Sequence, residues 1–130
     1  MFLKKLKSVT ILFICWAMGL TMGCAEKKNM GLANPASQNC VEKRGTLKIT
    51  KRGDGGEYGI CIFTDNRQCE EWALFRGECP LGGVKITGFL TAEGIYCALK
   101  GGMVLENEVL CQLPSGKSCS TQDLYHGECS

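Results

Sequence analysis

One histidine, two tryptophans and three prolines are all that 130 residues contain of those types, and the formal net charge is only +2. A charge so near balance excludes a strongly basic nucleic-acid binder and an acidic disordered tail alike. The lone His126 falls near the end of an expected helix, where a surface role complementing the helix dipole is the simplest reading. No nucleophile motif and no phosphate-binding glycine pattern accompany it. Gly53-Asp54-Gly55-Gly56 lacks the further acids of a calcium loop and reads as a turn. Glu70-Glu71 and Glu106/Glu108 read as solvated faces, not as an acid–base pair. Close C-x-x-C pairs are missing too: the nearest cysteines stand eight positions apart, which argues for disulfides over structural zinc. The expectation is a protein with no enzymatic activity, no cofactor and no metal.

What the chain does have is cysteine, 10 in all. Usage this high points to an oxidising compartment in which disulfides hold small cores together. The amino terminus agrees. Lys4, Lys5 and Lys7 form a positive segment, the apolar run Val9–Met18 follows, and no charge occurs from Ser8 to Ala25. The run is shorter than the roughly 20 residues a membrane span requires, so it reads as a signal peptide over 1–23. Leu20-Thr21-Met22-Gly23-Cys24 resembles the lipobox of bacterial lipoproteins, with Thr21 where leucine is usual. That resemblance implies acyl chains on Cys24, a membrane anchor through them, and, since Ala25 follows, the outer membrane of a Gram-negative envelope. Removing 1–23 leaves 12 basic and 13 acidic residues, a net charge of about −1. A polar tether of 24–33 leads into the remainder.

Cys15 falls in the apolar run of the signal, and the remaining eight cysteines lie at 40, 61, 69 and 79, and again at 97, 111, 119 and 129. The gaps of 8 and 10 repeat unchanged, and the first gap shrinks from 21 to 14. Leu74-Phe75-Arg76-Gly77-Glu78-Cys79 matches Leu124-Tyr125-His126-Gly127-Glu128-Cys129 at an offset of 50; Cys40, Lys43 and Gly45 match Cys97, Lys100 and Gly102 at 57. The spacing predicts a duplication: a first module over 34–80, a linker over 81–90 and a diverged second module over 91–130. The surplus of seven residues is expected as a longer loop around Lys51–Glu57.

Each module reads as a helix, a β-hairpin and a helix, a small α+β disulfide-rich fold in two tandem copies. Asn34 caps and Pro35 opens a helix through Arg44, closed at Gly45 by a left-handed residue; Thr91 caps its counterpart through Lys100. Strands are expected over Thr46–Thr50, Tyr58–Phe63, Met103–Leu105 and Val109–Leu113. The last helices are expected over Cys69–Arg76 and Cys119–His126, with Trp72, Leu74, Phe75, Leu124 and Tyr125 in the core. Val84-Lys85-Ile86-Thr87 is a candidate further strand in the linker.

Closure of each module on itself leaves three pairings per module. A helix from Cys69 to Cys79 would hold those two about 12 Å apart, beyond the roughly 7 Å a disulfide tolerates. Cys61 and Cys69 are symmetric about Asp65, and Cys111 and Cys119 about Ser115, which would set each pair opposite across a hairpin. The expected bridges are therefore Cys61–Cys69, Cys40–Cys79, Cys111–Cys119 and Cys97–Cys129.

The string Ala33-Asn34-Pro35-Ala36-Ser37-Gln38-Asn39-Cys40, then Tyr58-Gly59-Ile60-Cys61, then Cys69-Glu70-Glu71-Trp72-Ala73-Leu74-Phe75-Arg76-Gly77-Glu78-Cys79-Pro80, resembles a family of bacterial lipoproteins named as hemolysins. The resemblance covers residues 33–80, with 91–129 similar to a diverged copy, and it implies a small Cys-rich domain of unknown function. The apolar runs Ile60–Phe63 and Val109–Leu113 suit a soluble core and offer no lytic segment. The function expected is that of a lipid-anchored envelope lipoprotein whose rigid, non-catalytic module binds an envelope protein or a cell-wall partner, and no nucleic acid. Two alternatives stand beside it: a protease inhibitor presenting Thr64–Gln68 or the Gly-rich turn, and a genuinely membrane-lytic hemolysin.

Overall fold

A computed structural model describes residues 34–129. The expected signal peptide 1–23, the acylated Cys24 and the tether to residue 33 lie outside the described residues. The chain then runs α1 (Pro35–Glu42), β1 (Thr46–Lys51), β2 (Glu57–Ile62), a tight turn at Thr64–Asn66, β3 (Gln68–Glu70) and α2 (Glu71–Phe75). After the linker come α3 (Ala92–Leu99), β4 (Met103–Leu105), β5 (Leu110–Gln112), β6 (Ser118–Ser120) and α4 (Thr121–Tyr125). Two antiparallel sheets result, ordered β1-β2-β3 and β4-β5-β6.

Each sheet thus has a third strand where a helix was expected to begin. The caps explain this correction. The Glu70 carboxylate accepts from the N–H groups of Trp72 and Ala73, and Ser120 Oγ from Asp123 N–H. A capping residue keeps an extended backbone, so the chain stays in the sheet until the cap and the helices start only at Glu71 and Thr121. With so little helix, one face alone meets the core: Leu74 and Leu124 are buried, whereas Phe75 is 48% exposed. Trp72 meets Phe75 edge-on at 5.7 Å and is half-buried, so these two aromatics are not the core residues expected.

α1 opens as expected, with Asn34 Oδ1 accepting from Ala36 N–H at 2.8 Å. It ends at Glu42, and the left-handed residue after it is Arg44 (φ 65), not Gly45. Gly45 is required for space: a Cβ there would overlap Cys61 Sγ and press on Cys40 Sγ. Gly102 meets the Sγ atoms of Cys111 and Cys97 in the same way. Only one of the surplus seven residues lies in a longer turn. The other six lengthen the strands, since β1 and β2 have six residues each and β4 and β5 three.

All eight cysteines between 40 and 129 are in disulfides, and the partners differ from those expected. Cys40 joins Cys61, Cys69 joins Cys79, Cys97 joins Cys111 and Cys119 joins Cys129, with Cα atoms 5.6–6.3 Å apart. The strand register does set Cys61 opposite Cys69 and Cys111 opposite Cys119. However, Phe63 N–H donates to Arg67 and Leu113 N–H to Lys117, both at 2.8 Å. Those closing residues are hydrogen-bonded pairs, and alternation makes the facing cysteines hydrogen-bonded pairs as well. Their Cβ atoms then stand about 5.5 Å apart, too far for the roughly 3.8 Å of a disulfide. Cys61 and Cys111 bond upward to α1 and α3 instead, which also removes Cys40–Cys79 and Cys97–Cys129. Cys69–Cys79 becomes possible because α2 spans only Glu71–Phe75 and the chain turns back at Gly77 (φ 74).

Period-two alternation places Cys61 and Gly59 beneath α1 and α2, and turns Tyr58 and Ile60 to the opposite face. α3 packs on that opposite face. Tyr96 meets Tyr58 edge-on at 4.9 Å and Tyr125 at 5.7 Å, so all three tyrosines form one cluster between the two sheets. Gly53 N–H donates to the Tyr125 carbonyl at 3.2 Å, and Lys100 Nζ lies 3.8 Å from Glu70. The linker contributes two isolated bridges, Val84 with Gln68 and Thr87 with Phe89, in place of the further strand expected over Val84–Thr87.

Candidate functional site

Three short helices end near one another: Arg76 is the C-terminal cap of α2, Lys100 of α3 and His126 of α4. The Arg76 and Lys100 cations complement the unpaired carbonyls at their two helix ends. His126 Nδ1 lies 2.8 Å from the Gln122 carbonyl. Arg76 and Lys100 open onto a cleft of about 380 Å³ lined by helix ends and turns, within the size range of small-ligand sites. Arg52 reaches it from the β1–β2 turn and Glu78 from beyond α2; Leu113, Pro114 and Leu124 form its apolar wall and Tyr96 its floor.

Every cation of the cleft has an acidic partner. Arg52 pairs with Asp54 and Arg76 with Glu78, both at 3.0 Å, and Lys100 faces Glu70. The Tyr96 hydroxyl first, and Asp54 after it, hold the Arg52 guanidinium in its charged form against desolvation. The Gly56 N–H first, and then Arg52, keep the Asp54 carboxyl below its ordinary value. Burial raises Tyr96, opposed by Arg52. Burial also pushes Tyr58 up to about 12, assisted by Tyr125 and Tyr96. The cleft is charge-balanced, with preset donors and acceptors around an aromatic floor. Such a surface suits recognition of a polar peptide or glycan chain bearing an apolar group.

Of the acidic pairs read as solvated in the sequence, Glu70-Glu71 is placed otherwise, whereas Glu106 and Glu108 lie at the surface. Glu70 and Glu71 are both buried. The Glu71 carboxylate lies over Gly59 and accepts from Asn34 Nδ2 at 3.1 Å and from Ser37 Oγ, tying the start of α1 to α2. In the second half Thr121 stands where Glu71 would, and its hydroxyl donates to the Glu108 carbonyl at 2.6 Å. The Glu108 carboxylate takes over the tie: it accepts from Leu90 N–H at 2.7 Å, Thr91 N–H at 2.9 Å and Thr91 Oγ1. Those bonds, the Thr91 hydroxyl foremost, hold its carboxyl below the ordinary range. Glu106 remains exposed on the neighbouring turn. Glu70, Glu71 and Glu108 thus fasten helix starts.

Residues 31–78 match the family model described as a domain of unknown function, DUF333. Over 53 residues the chain is 40% identical to the uncharacterized protein YoaF of Escherichia coli K12, and equally to YoaF of E. coli O6:H1 and of Shigella flexneri. The matched stretch is 41% of this chain, and the chain spans 62% of the length of those curated relatives. No solved structure matches the chain. The matched part is a small domain of unknown function; it holds α1, the first sheet and α2, with Arg52, Arg76 and Glu78 of the cleft. Tyr96 and Lys100 come from outside it. Sequence reasoning passed over the cleft residues because they lie up to 77 positions apart, from Arg52 to Cys129. The available signal was the basic or histidine residue before each helix-ending glycine.

Proposed function

We propose that this chain is a lipid-anchored, non-catalytic recognition protein of the bacterial cell envelope. Two tandem copies of one disulfide-braced module would hold a cleft for an envelope protein or a cell-wall partner. The observation that carries this reading is the cleft itself, whose walls are pinned by disulfides and whose polar groups are already oriented. Preset groups of this kind reduce the ordering cost of binding. The duplication is supported by equivalent bridges (Cys40–Cys61 with Cys97–Cys111, Cys69–Cys79 with Cys119–Cys129) and by Gly45 and Gly102 against them. The inhibitor reading is less favoured. Asp65 and Asn66 both adopt φ 58 in a tight turn, whereas strand addition to a protease needs an extended segment, and the Gly-rich turn is docked on Tyr125 through Gly53.

The test is site-specific photocrosslinking in intact envelopes from Ser115, at the rim of the cleft. One dominant adduct is expected, and the double variant Arg52→Glu, Arg76→Glu should abolish it. Adducts unchanged by that variant would refute the cleft. Palmitate labelling that survives Cys24→Ser would refute the anchor. Release of liposome-entrapped dye by the purified full chain would favour the lytic reading.

A further inference from the structure

The residues that lengthen the first hairpin also create an unpaired edge. β1 is the outer strand of its sheet. Arg52 N–H donates to the Gly56 carbonyl at 2.8 Å. By alternation the pairs Thr50/Tyr58, Lys48/Ile60 and Thr46/Ile62 then turn their backbone groups inward to β2. Leu47, Ile49 and Lys51 turn theirs outward, and among the described residues no backbone–backbone hydrogen bond reaches them. A free row of this kind is a template for another strand. The opposite edge of the sheet is closed at Gln68, which exchanges two 2.9 Å bonds with Val84. β4 and β6 are only three residues long, and β4 stops at the left-handed run Glu106-Asn107-Glu108 (φ 52, 53 and 68).

The surroundings of β1 specify the occupant. Lys43 and Arg44 lead into the strand, Lys48 and Lys51 lie on it, and all four are exposed; Glu42 and Glu57 are the acids nearest in the chain and in the register. Ile49, 53% exposed, provides an apolar contact at mid-edge. Two β1 strands paired with each other would bring like charges together, so a second copy is disfavoured. We propose that β1 binds an acidic, extended peptide segment of a partner protein by strand addition, on the outward backbone groups of Leu47, Ile49 and Lys51. This surface is separate from the cleft and does not depend on it.

The experiment is amide hydrogen exchange of the purified full chain, with and without an acetylated, amidated hexapeptide of alternating Glu and Val. The expected result is slowed exchange at Leu47, Ile49 and Lys51, and none with the Lys/Val peptide. Ile49→Pro removes an outward N–H and leaves the ladder to β2 intact, as edge prolines do. It should weaken binding about ten-fold, the worth of one hydrogen bond. Lys48→Glu with Lys51→Glu, which touches no backbone bond, should reverse the peptide preference. Three results would overturn the proposal: no added protection at those amides, equal protection by both peptides, or full binding by the double variant. Protection without peptide would also overturn it. A rise with protein concentration would assign the edge to a second copy, and no dependence on concentration to residues 25–33 of the chain itself.

Discussion

Gly45 and Gly102 show how little freedom a disulfide core leaves. The Sγ atoms of Cys40 and Cys61, or of Cys97 and Cys111, occupy the space a side chain would need. Gly45→Ala should destabilise the protein by about 1–3 kcal/mol through overpacking, read as a lower guanidinium midpoint with an unchanged slope. Glu71→Ala strands the Asn34 and Ser37 donors; an expected loss of about 1–3 kcal/mol would show as faster amide exchange in α1. Tyr58 sets a pH dependence. Its hydroxyl ionises at about 12 in the fold and near 10 in an unfolded chain. Between those values the unfolded state has released a proton that the folded state keeps, so stability is complete below pH 10 and declines from there toward 12. Tyr58→Phe should flatten that decline in denaturation curves taken on either side of pH 10.

At the scale of elements, each disulfide ties the middle or far strand of a sheet to a flanking segment, and loop length ranks them. Cys40–Cys61 closes 21 residues and Cys69–Cys79 closes 10. The chain-entropy relation assigns about 3.3 and 2.7 kcal/mol to loops of those lengths. Replacing the first pair with alanine should therefore lower the melting temperature more than replacing the second. Peptide mapping of the native protein should recover Cys69 linked to Cys79; recovery of Cys61 linked to Cys69 would contradict the fold. The caps of α1 and α3 were legible because Asn34-Pro35 and Thr91 act within one turn. The third strands were not, because Glu70 and Ser120 declare themselves as caps only when the following helix is known to be short.

On the scale of the whole molecule, the tyrosine cluster joins the first sheet and its helices to the second. Tyr96→Ala would remove the ring that touches both Tyr58 and Tyr125. A loss of about 3–5 kcal/mol is expected for such a truncation. In a chain beginning at Cys24, Trp72 is the one tryptophan, so its fluorescence reports α2 and the first sheet, and the near-ultraviolet tyrosine signal the cluster. The two transitions should coincide in the parent and separate in the Tyr96→Ala variant; coincidence in both would mean that the two sheets are coupled by other contacts.

Local chemistry was readable from the residues alone: the disulfide-rich α+β character, the positions of α1 and α3, and the β4 segment all rest on interactions within a few positions of one another. The repeated spacing of the cysteines also placed Cys61 opposite Cys69 correctly. Which sulfur each one bonds was decided by the hydrogen-bond phase of the hairpin, a property of paired strands and not of either strand. The cleft, the tyrosine cluster and the burial of Glu70 and Glu71 belong to the same class. Each depends on groups brought together by α3 packing on the first sheet or by α1 packing on α2, and no period within the sequence encodes those contacts.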